Sequence, residues 1–187
     1  MKQIILIILI GIAVIFAAEF HVDKEQENLV KFTSDAPVEK IVGVTDKIDG
    51  YILWQDDNFA QNSEFYFEVD LASIDTGIGL RNRHMRENYL ETDKYPFASY
   101  GGQITQVVDN EDGTFMVTTS GTFKLHGVER EIQLDGLVSK IADGYKAESR
   151  FEVKLADYNI ERPQFMFLKI GEVIQLEVTF FTKEFKE

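Results

Sequence analysis

The sequence predicts an all-β protein, an antiparallel up-and-down β-barrel of about eight strands with one inserted helix. The first observation is a repeated alternation of apolar and polar residues with period two, which gives each strand one dry face and one wet face. The alternation is clearest at residues 114–125, 144–155 and 174–180. The second is a pair of short polar segments, 109–113 and 142–144, that predict hairpins and hence antiparallel neighbours.

Strand length and glycine placement favour a closed barrel over a flat sandwich. The predicted strands at 114–125 and 144–155 are about twice the usual five or six residues. Gly102, Gly121 and Gly136 fall inside strands, where glycine lets a sheet bend strongly. A coiled sheet of about eight such strands closes with its apolar face inward and can enclose one elongated ligand.

The N-terminal residues have the layout of a secretory signal. Lys2 supplies the basic start, residues 4–18 form an apolar stretch of 15 residues, and Ala18 precedes Glu19. This stretch is shorter than the roughly 18 residues of a spanning helix. We therefore expect a signal peptide at 1–18, a mature domain at 19–187 without a stable membrane span, and a periplasmic or extracellular location. An uncleaved anchor is the alternative, because the bulky Phe16 stands at the third position before the cut.

The composition excludes several classes of protein. The chain has 19 Lys and Arg against 32 Asp and Glu, a net charge of −13, which becomes −14 when Lys2 is removed. Such a surface repels nucleic acid. The absence of Cys excludes a disulfide scaffold, thiol catalysis and Cys-ligated metal sites. A hydrophobic content of 44% excludes an intrinsically disordered chain.

The remaining elements follow in chain order within one domain. Stretches at 29–33, 38–44 and 47–54 are less regular but rich in β-forming residues, and residues 65–69 alternate clearly. Residues 78–90 instead have helical composition, with Thr76 or Asp75 as the expected cap. Pro96 ends this excursion, and the next strand begins at Phe97.

The dry strand faces carry many large apolar side chains. We expect twelve of them to line the barrel interior: Ile52, Trp54, Phe65, Phe67, Phe115, Val117, Phe123, Leu134, Phe151, Val153, Leu176 and Val178. Burying about 500 Å² of a lipid tail there would contribute roughly 12 kcal/mol, against an association cost of about 4–15 kcal/mol. The residues by themselves leave open a ligand tunnel and a barrel filled by its own fifteen Phe.

Four motifs carry a resemblance to a known family. They are Ser-Ile-Asp-Thr-Gly at 73–77, Arg-Asn-Arg-His-Met-Arg at 81–86, Asp-Lys-Tyr-Pro at 93–96, and the hairpin segment 121–128. In this order the chain resembles the YceI-like polyisoprenoid-binding family over roughly residues 20–182. The resemblance implies a lipocalin-like barrel with an inserted helix, a tunnel for a long isoprenoid chain such as a quinone tail, and export in bacteria. Two positions depart from the family: Asn82, where Asp is frequent, and residues 158–160, which read Tyr-Asn-Ile.

The predicted helix also carries the densest positive cluster of this acidic chain. Arg81, Arg83 and His84 are candidates to orient the polar end of a ligand, and Asp75 and His126 are further candidates at the barrel mouth. One alternative is that Arg81, Arg83 and Arg86 form ion pairs with nearby carboxylates. The others are that His84 packs the helix on the barrel and hydrogen-bonds Asp75 or a backbone carbonyl, and that His126 stabilises a turn by a hydrogen bond.

No set of residues predicts catalysis or metal binding. Ser73, His84 and Asp75 form a triad only on paper, without a nucleophile elbow, and the histidines are far apart in sequence. We therefore expect an exported, non-enzymatic carrier of an isoprenoid or other long-chain lipid, with no other cofactor, no nucleic-acid partner and a possible homodimer. The alternatives are a secreted stress-related or interaction barrel with a filled core, and a lipid-modifying enzyme. Cavity volume separates the carrier from the filled barrel.

Overall fold

The predicted antiparallel barrel is confirmed in a computed structural model that describes residues 17–35, 40–55, 62–162, 164–165 and 168–186. Eight strands close into a ring in the order β1-β4-β5-β6-β7-β8-β9-β12, and β12 pairs back with β1. A short hairpin, β2-β3, adds to the other part of the β12 edge. The barrel strands are β1 (Ala17–Val22), β4 (Ile48–Gln55), β5 (Ser63–Asp70), β6 (Phe97–Asp109), β7 (Thr114–Leu125), β8 (Val128–Ile141), β9 (Gly144–Lys154) and β12 (Val173–Glu184).

The remaining elements are short. The added hairpin consists of β2 (Leu29–Ser34) and β3 (Ile41–Thr45), and a separate pair of strands, β10 (Gln164–Phe165) and β11 (Leu168–Lys169), follows β9. The inserted helix, α1 (Gly79–His84), continues into a π-helical turn at Met85–Tyr89. We call the end of the barrel that carries α1 and residues 155–162 the helical end. The end that carries the β6–β7 and β8–β9 turns is the hairpin end.

The strand position beside β12 is occupied by two short strands with a break between them. Both β1 and β2 pair antiparallel with β12, at Phe20–Val22 and at Leu29–Ser34, so they occupy successive parts of one edge. The break at 23–28 is bridged because Asp23 donates its N–H to the Phe181 carbonyl, while the Asn28 side chain accepts the Phe181 N–H at 2.9 Å. The Asn28 amide thereby replaces a missing strand partner, and the β12 backbone remains satisfied.

The barrel wall coils tightly where two glycines face each other. Gly102 and Gly121 are register partners in β6 and β7, and a Cβ on Gly121 would lie 2.2 Å from the Gly101 carbonyl oxygen. An extra residue lies between Ile104 and Gln106 in β6, forming a bulge that adds local bend. Two of the three glycines predicted to permit strong curvature, Gly102 and Gly121, therefore lie at a close approach of two backbones.

The inserted helical segment covers residues 79–89, close to the predicted 78–90, but only Gly79–His84 is α-helical and the cap differs from the prediction. It begins at Gly79, after Ile78 in the N-cap position with no side-chain cap. The expected cap from Thr76 or Asp75 is wrong, because both side chains instead bond Asn82 within α1. Residues 74–76 also close the wall, since Asp75 exchanges two backbone hydrogen bonds of 2.9 Å with Val44 of β3.

Strand β1 begins inside the predicted signal segment. Ala17 and Ala18 pair with Gln55 and Trp54 of β4, although both residues precede the predicted cut. The sequence did not reveal this start, because two alanines after an apolar run carry no alternation. The predicted strand at 38–44 starts at Ile41 in the structure, and residues 36–39 lie outside the described residues.

The main cluster of buried apolar residues lies at the helical end of the barrel. Nine buried residues cluster there: Leu71, Ile74, Phe123, Leu125, Val153, Leu155, Tyr158, Ile160 and Ile174. They come from the strand ends and from the connections at this end of the barrel. Met85, Tyr89 and Leu90 pack against the cluster, so it holds the inserted helical segment and residues 155–160 on the barrel. Within the described part of the chain, no helix is long and apolar enough to cross a membrane.

Candidate functional site

The barrel encloses a cavity of about 1100 Å³. All twelve apolar residues that the sequence placed in the interior line it, from Ile52 and Trp54 in β4 to Leu176 and Val178 in β12. Direct register partners such as Phe115–Val138 and Phe151–Leu176 point to the same face, which explains why period-two alternation identified them. The interior of the barrel is therefore not filled by its own side chains, and the volume is that of a ligand pocket.

Aromatic side chains shape the cavity wall along its length. Phe67 lies 4.6 Å from Phe180 and 5.8 Å from Phe65 between ring centroids, and Phe65 lies 5.0 Å from Tyr100. At the hairpin end Trp54 stacks on Phe20 at 4.7 Å. Burial raises the pKa of Tyr100, whose hydroxyl shares a hydrogen bond with Thr119. The wall is therefore apolar and rigid, with few polar groups facing inward.

The cavity wall is interrupted between β8 and β9. Their ladder runs from Ile141–Gly144 only to Gly136–Ser149, so the part of β8 before Gly136 has no ladder partner in β9. The Ser149 hydroxyl donates to the Asp135 carbonyl where the ladder stops. Asp135, Glu148 and Ser149 line the cavity beside this gap. Nearer the helical end, Arg130 of β8 bridges the gap by donating a hydrogen bond to the Asp157 carbonyl.

The cavity reaches solvent beside the inserted helix. Ile78 and Leu80 line it and yet are 51% and 55% exposed, which marks an opening at the helical end. Arg81 and His84 line the same region from α1. An elongated ligand in the barrel would meet an apolar rim here, followed by one arginine and one histidine.

A hydrogen-bond network fixes the polar side of this opening. The buried Asn82 accepts from the Thr76 N–H and hydroxyl, at 2.8 and 2.6 Å, and donates to the Asp75 carboxylate at 2.6 Å. The hydrogen bond from Asn82, together with one from the Gly77 N–H, lowers the pKa of Asp75. Thr76 in turn accepts from Arg81, at Oγ1 from Nε (2.8 Å) and at the carbonyl from Nη2 (2.6 Å). The network thus orients the Arg81 guanidinium.

The other polar candidates lie outside the cavity lining. Arg83 is exposed on α1, and Asp75 is occupied by Asn82 and Gly77. His126 forms the two-residue β7–β8 turn with Gly127, both with positive φ (51° and 75°). Its Nδ1 lies 3.1 Å from the Tyr158 carbonyl oxygen and its Nε2 lies 2.9 Å from Glu91 Oε2. His126 therefore ties the β7–β8 turn to two connections of the helical end.

Two alternatives for the helix residues do not match the structure. The expected ion pairs of Arg81, Arg83 and Arg86 are not present among the described residues, and Arg86 donates instead to the Ala72 carbonyl. His84 does not hydrogen-bond Asp75, whose side chain faces Asn82. Both alternatives relied on proximity in sequence, which does not give the direction of a side chain on a one-and-a-half-turn helix.

The sequence interpretation missed two sets of lining residues. Thr76 lies in the cavity wall and positions Arg81. The motif at 73–77 contains Thr76 and was the signal from which its role could have been predicted. Asp135, Glu148 and Lys140 also line the cavity, although alternation places Asp135 and Glu148 on the outer face. Asp135 and Glu148 line the cavity where the β8–β9 ladder stops, whereas Lys140 lies inside the ladder as the partner of Tyr145. No local pattern in the sequence indicates where the ladder stops.

Ser73, His84 and Asp75 do not form a catalytic triad in the described structure. The Ser73 hydroxyl donates to the Asp70 carbonyl at 2.6 Å and shares a hydrogen bond with Thr45 Oγ1, while Asp75 is bonded to Asn82. Neither residue contacts His84, so no base is placed to activate Ser73. Among the described residues, no group of three or more His, Cys, Asp or Glu could hold a metal ion.

Comparison with known proteins places this geometry in context. A family model described as YceI-like domain matches residues 20–181. No curated protein matches the chain.

Three solved structures have a similar fold at low sequence identity. Burkholderia cenocepacia BcnA has a TM-score of 0.68 at 14% identity, over 86% of this chain and 98% of its own. A polyisoprenoid binding domain from Saccharophagus degradans, implicated in plant cell wall breakdown, has a TM-score of 0.69 at 21% identity, over 88% and 98%. The Campylobacter jejuni YCEI protein has a TM-score of 0.61 at 16% identity, over 80% and 88%.

Proposed function

The chain belongs to the YceI-like family, and from this premise we propose that it is an exported protein that binds a polyisoprenoid or similar long-chain lipid inside its barrel and catalyses no reaction. The observation that carries the proposal is the 1100 Å³ cavity, whose lining is dominated by apolar and aromatic side chains. A solved structure of similar fold is described as a polyisoprenoid binding domain, which supports the ligand class.

The physical basis of binding is the transfer of a flexible apolar chain out of water. Burial of apolar surface contributes roughly 25 cal/mol per Å², and an already open cavity needs no rearrangement of the core to accept the chain. Because the walls are rigid aromatic and branched side chains, the protein loses little conformational freedom on binding. A tail that lies against the Phe67–Phe180 ring pair and Leu176 would contact apolar groups of the cavity wall.

Filling the cavity should abolish lipid binding without unfolding the barrel. Ala98 and Ala147 both line the cavity, so Ala98→Phe/Ala147→Phe adds two rings to empty space. We expect lipid occupancy to fall about tenfold or more, because the displaced tail loses most of its apolar contact. The measurement is native mass spectrometry of protein purified from the envelope, followed by organic extraction and by titration of Trp54 fluorescence with geranylgeraniol.

A matched control makes the same chemical change outside the cavity. Ala142 and Ala156 are exposed, so Ala142→Phe/Ala156→Phe should keep wild-type occupancy. Equal lipid occupancy in the filled variant and in the control would contradict binding inside the barrel. A wild-type protein that stays free of lipid after incubation with prenyl alcohols and quinones would contradict the proposed function as a whole.

Export is the second part of the proposal and depends on residues 1–18. In the full chain expressed in a bacterium with a periplasm, we expect a mature protein that begins at Glu19 and is released by osmotic shock. Leu9→Arg interrupts the apolar stretch and should retain the precursor in the cytoplasm. N-terminal sequencing of the periplasmic and cytoplasmic fractions checks this result. A wild-type chain that keeps Met1 and stays in the cytoplasm would refute export.

A further inference from the structure

The guanidinium of Arg81 has one edge occupied and one edge free at the mouth of the cavity. Its Nε and Nη2 groups donate hydrogen bonds to Thr76, and these two bonds occupy the side edge of the planar guanidinium. The end edge, formed by Nη1 and the second Nη2 hydrogen, has no partner among the described residues. That edge has the geometry for two parallel hydrogen bonds to a phosphate or a carboxylate.

Arg81 has no carboxylate partner in the described structure, although the protein around it is strongly acidic. The chain has a net charge of −13, and most of its described lysines pair with carboxylates. Arg81 is half-buried, so leaving its charge unneutralised is costlier than at the surface. An anion from outside the protein would remove that cost.

The network behind Arg81 holds it ready for a ligand. Asn82 accepts both donors of Thr76, so the Thr76 hydroxyl oxygen is left to accept from Arg81. The Asp75 carboxylate is kept on the far side of Asn82 and does not line the cavity. The carboxylate of Asp75 is thus bonded to the neutral Asn82 amide and does not neutralise Arg81.

The charges of the cavity lining indicate at which end an anion would bind. Among the lining residues of the described chain, the acidic ones are Asp135 and Glu148, beside the β8–β9 gap, and Lys140 is on the same strand as Asp135. Arg81 and His84 are on α1, with Ile78 and Leu80 as their apolar neighbours. Asp135 and Glu148 repel an anionic group at the gap. Of the two cationic residues Lys140 and Arg81, Lys140 is exposed and Arg81 is half-buried, so an anion gains more beside Arg81.

From these observations we infer that the bound lipid ends in a small anion, a phosphate or a carboxylate, which Arg81 binds at the helical end while the tail fills the barrel. This inference rests on the proposed function, because it assigns the head-group class of the same ligand. His84 lies one helical turn from Arg81 and offers a second hydrogen-bonding group at the rim. Arg83, on the same helix, is exposed and does not line the cavity.

The test compares ligands that share one tail and differ in the head group. Geranylgeranyl monophosphate, geranylgeranoic acid, geranylgeraniol and inorganic phosphate are titrated against the mature wild-type protein, Arg81→Gln and the matched control Arg83→Gln. We expect the wild type to bind the two anionic lipids about ten- to a hundredfold more tightly than the alcohol, the range expected of a charged hydrogen-bonding pair. Arg81→Gln should lose this preference and keep its affinity for the alcohol, whereas Arg83→Gln should behave as wild type.

The outcomes separate the head-group inference from the proposed function. Equal affinity of the wild type for the alcohol and both anionic lipids would overturn the anionic head group and leave lipid binding intact. Absence of binding for all three lipids would overturn both. Inorganic phosphate bound as tightly as the lipid phosphate would overturn the inference by showing a site for the free ion. A preference that persists in Arg81→Gln would overturn the role of Arg81, and unchanged binding of the alcohol shows that the variant is folded.

Discussion

Gly121→Val should lower the free energy of unfolding by about 3 kcal/mol, because the new side chain has no space between two backbones. A Cβ at this position would lie 2.2 Å from the Gly101 oxygen and 2.9 Å from the Gly102 Cα. Both obstacles are backbone atoms of the paired strand β6, so they move only if the β6–β7 ladder separates. The measurement is urea unfolding followed by the fluorescence of Trp54, the single tryptophan of the chain.

Gly79→Ala is the matched control for the loss of a glycine. A Cβ at Gly79 meets no atom within 4 Å outside its own helix, and the residue lies at the start of α1. Alanine favours a helix over glycine by up to about 1 kcal/mol, so this variant should be as stable as the wild type or slightly more stable. If Gly121→Val unfolds at the same urea concentration as Gly79→Ala, the close approach of β6 and β7 is refuted.

Asn82→Leu should lower the free energy of unfolding by about 3 kcal/mol, because it removes the only side-chain acceptor shared by two donors of Thr76 in the described structure. Leucine has a similar size, so the loss comes from the unsatisfied Thr76 N–H and hydroxyl and not from a cavity. Both Thr76 and Asn82 are about 9% exposed, so water replaces the lost partners poorly. Thermal unfolding at pH 7 provides the measurement, with the apo proteins compared to avoid ligand stabilisation.

Asn82→Asp tests the hydrogen bond from Asn82 to Asp75, and we expect its effect on stability to depend on pH. The carboxylate keeps an acceptor for Thr76 but replaces the amide donor that faces Asp75 at 2.6 Å with a like charge. In the wild type the lowered pKa of Asp75 stabilises the fold above the ordinary carboxyl range, and this contribution is lost as the pH falls through the lowered value. In Asn82→Asp the facing carboxylates raise the pKa of one of them, so protonation relieves the repulsion.

The stability difference between Asn82→Asp and the wild type should therefore shrink as the pH falls from 7 towards 4. Asp75→Asn/Asn82→Asp restores one amide and one carboxylate in exchanged positions and should recover most of the loss at pH 7. A difference that is independent of pH, together with no recovery in the double variant, would show that Asp75 and Asn82 are not coupled.

Period-two alternation predicted the antiparallel strands and the twelve apolar residues expected inside the barrel. Inward and outward side chains of a strand differ in the solvent they meet, so the pattern is written locally in every strand with one dry face. The inward positions of Phe65 and Phe67 in β5, and the extent of the long strands β7 and β9, all follow from it without any knowledge of pairing partners. The two hairpins at 109–114 and 141–144 are equally local, since a few polar residues determine each turn.

The tertiary structure decided what no local pattern contains. The interior could hold a cavity or a solid core with the same alternation, because volume depends on how eight strands close and not on which face of each is apolar. The partners of Arg81 and Asn82 also depended on the fold, since a short helix directs its side chains according to how it docks on the barrel. The sequence by itself determined an apolar-lined barrel with a positive helix, and only the packed structure placed one free arginine edge at the open end of its cavity.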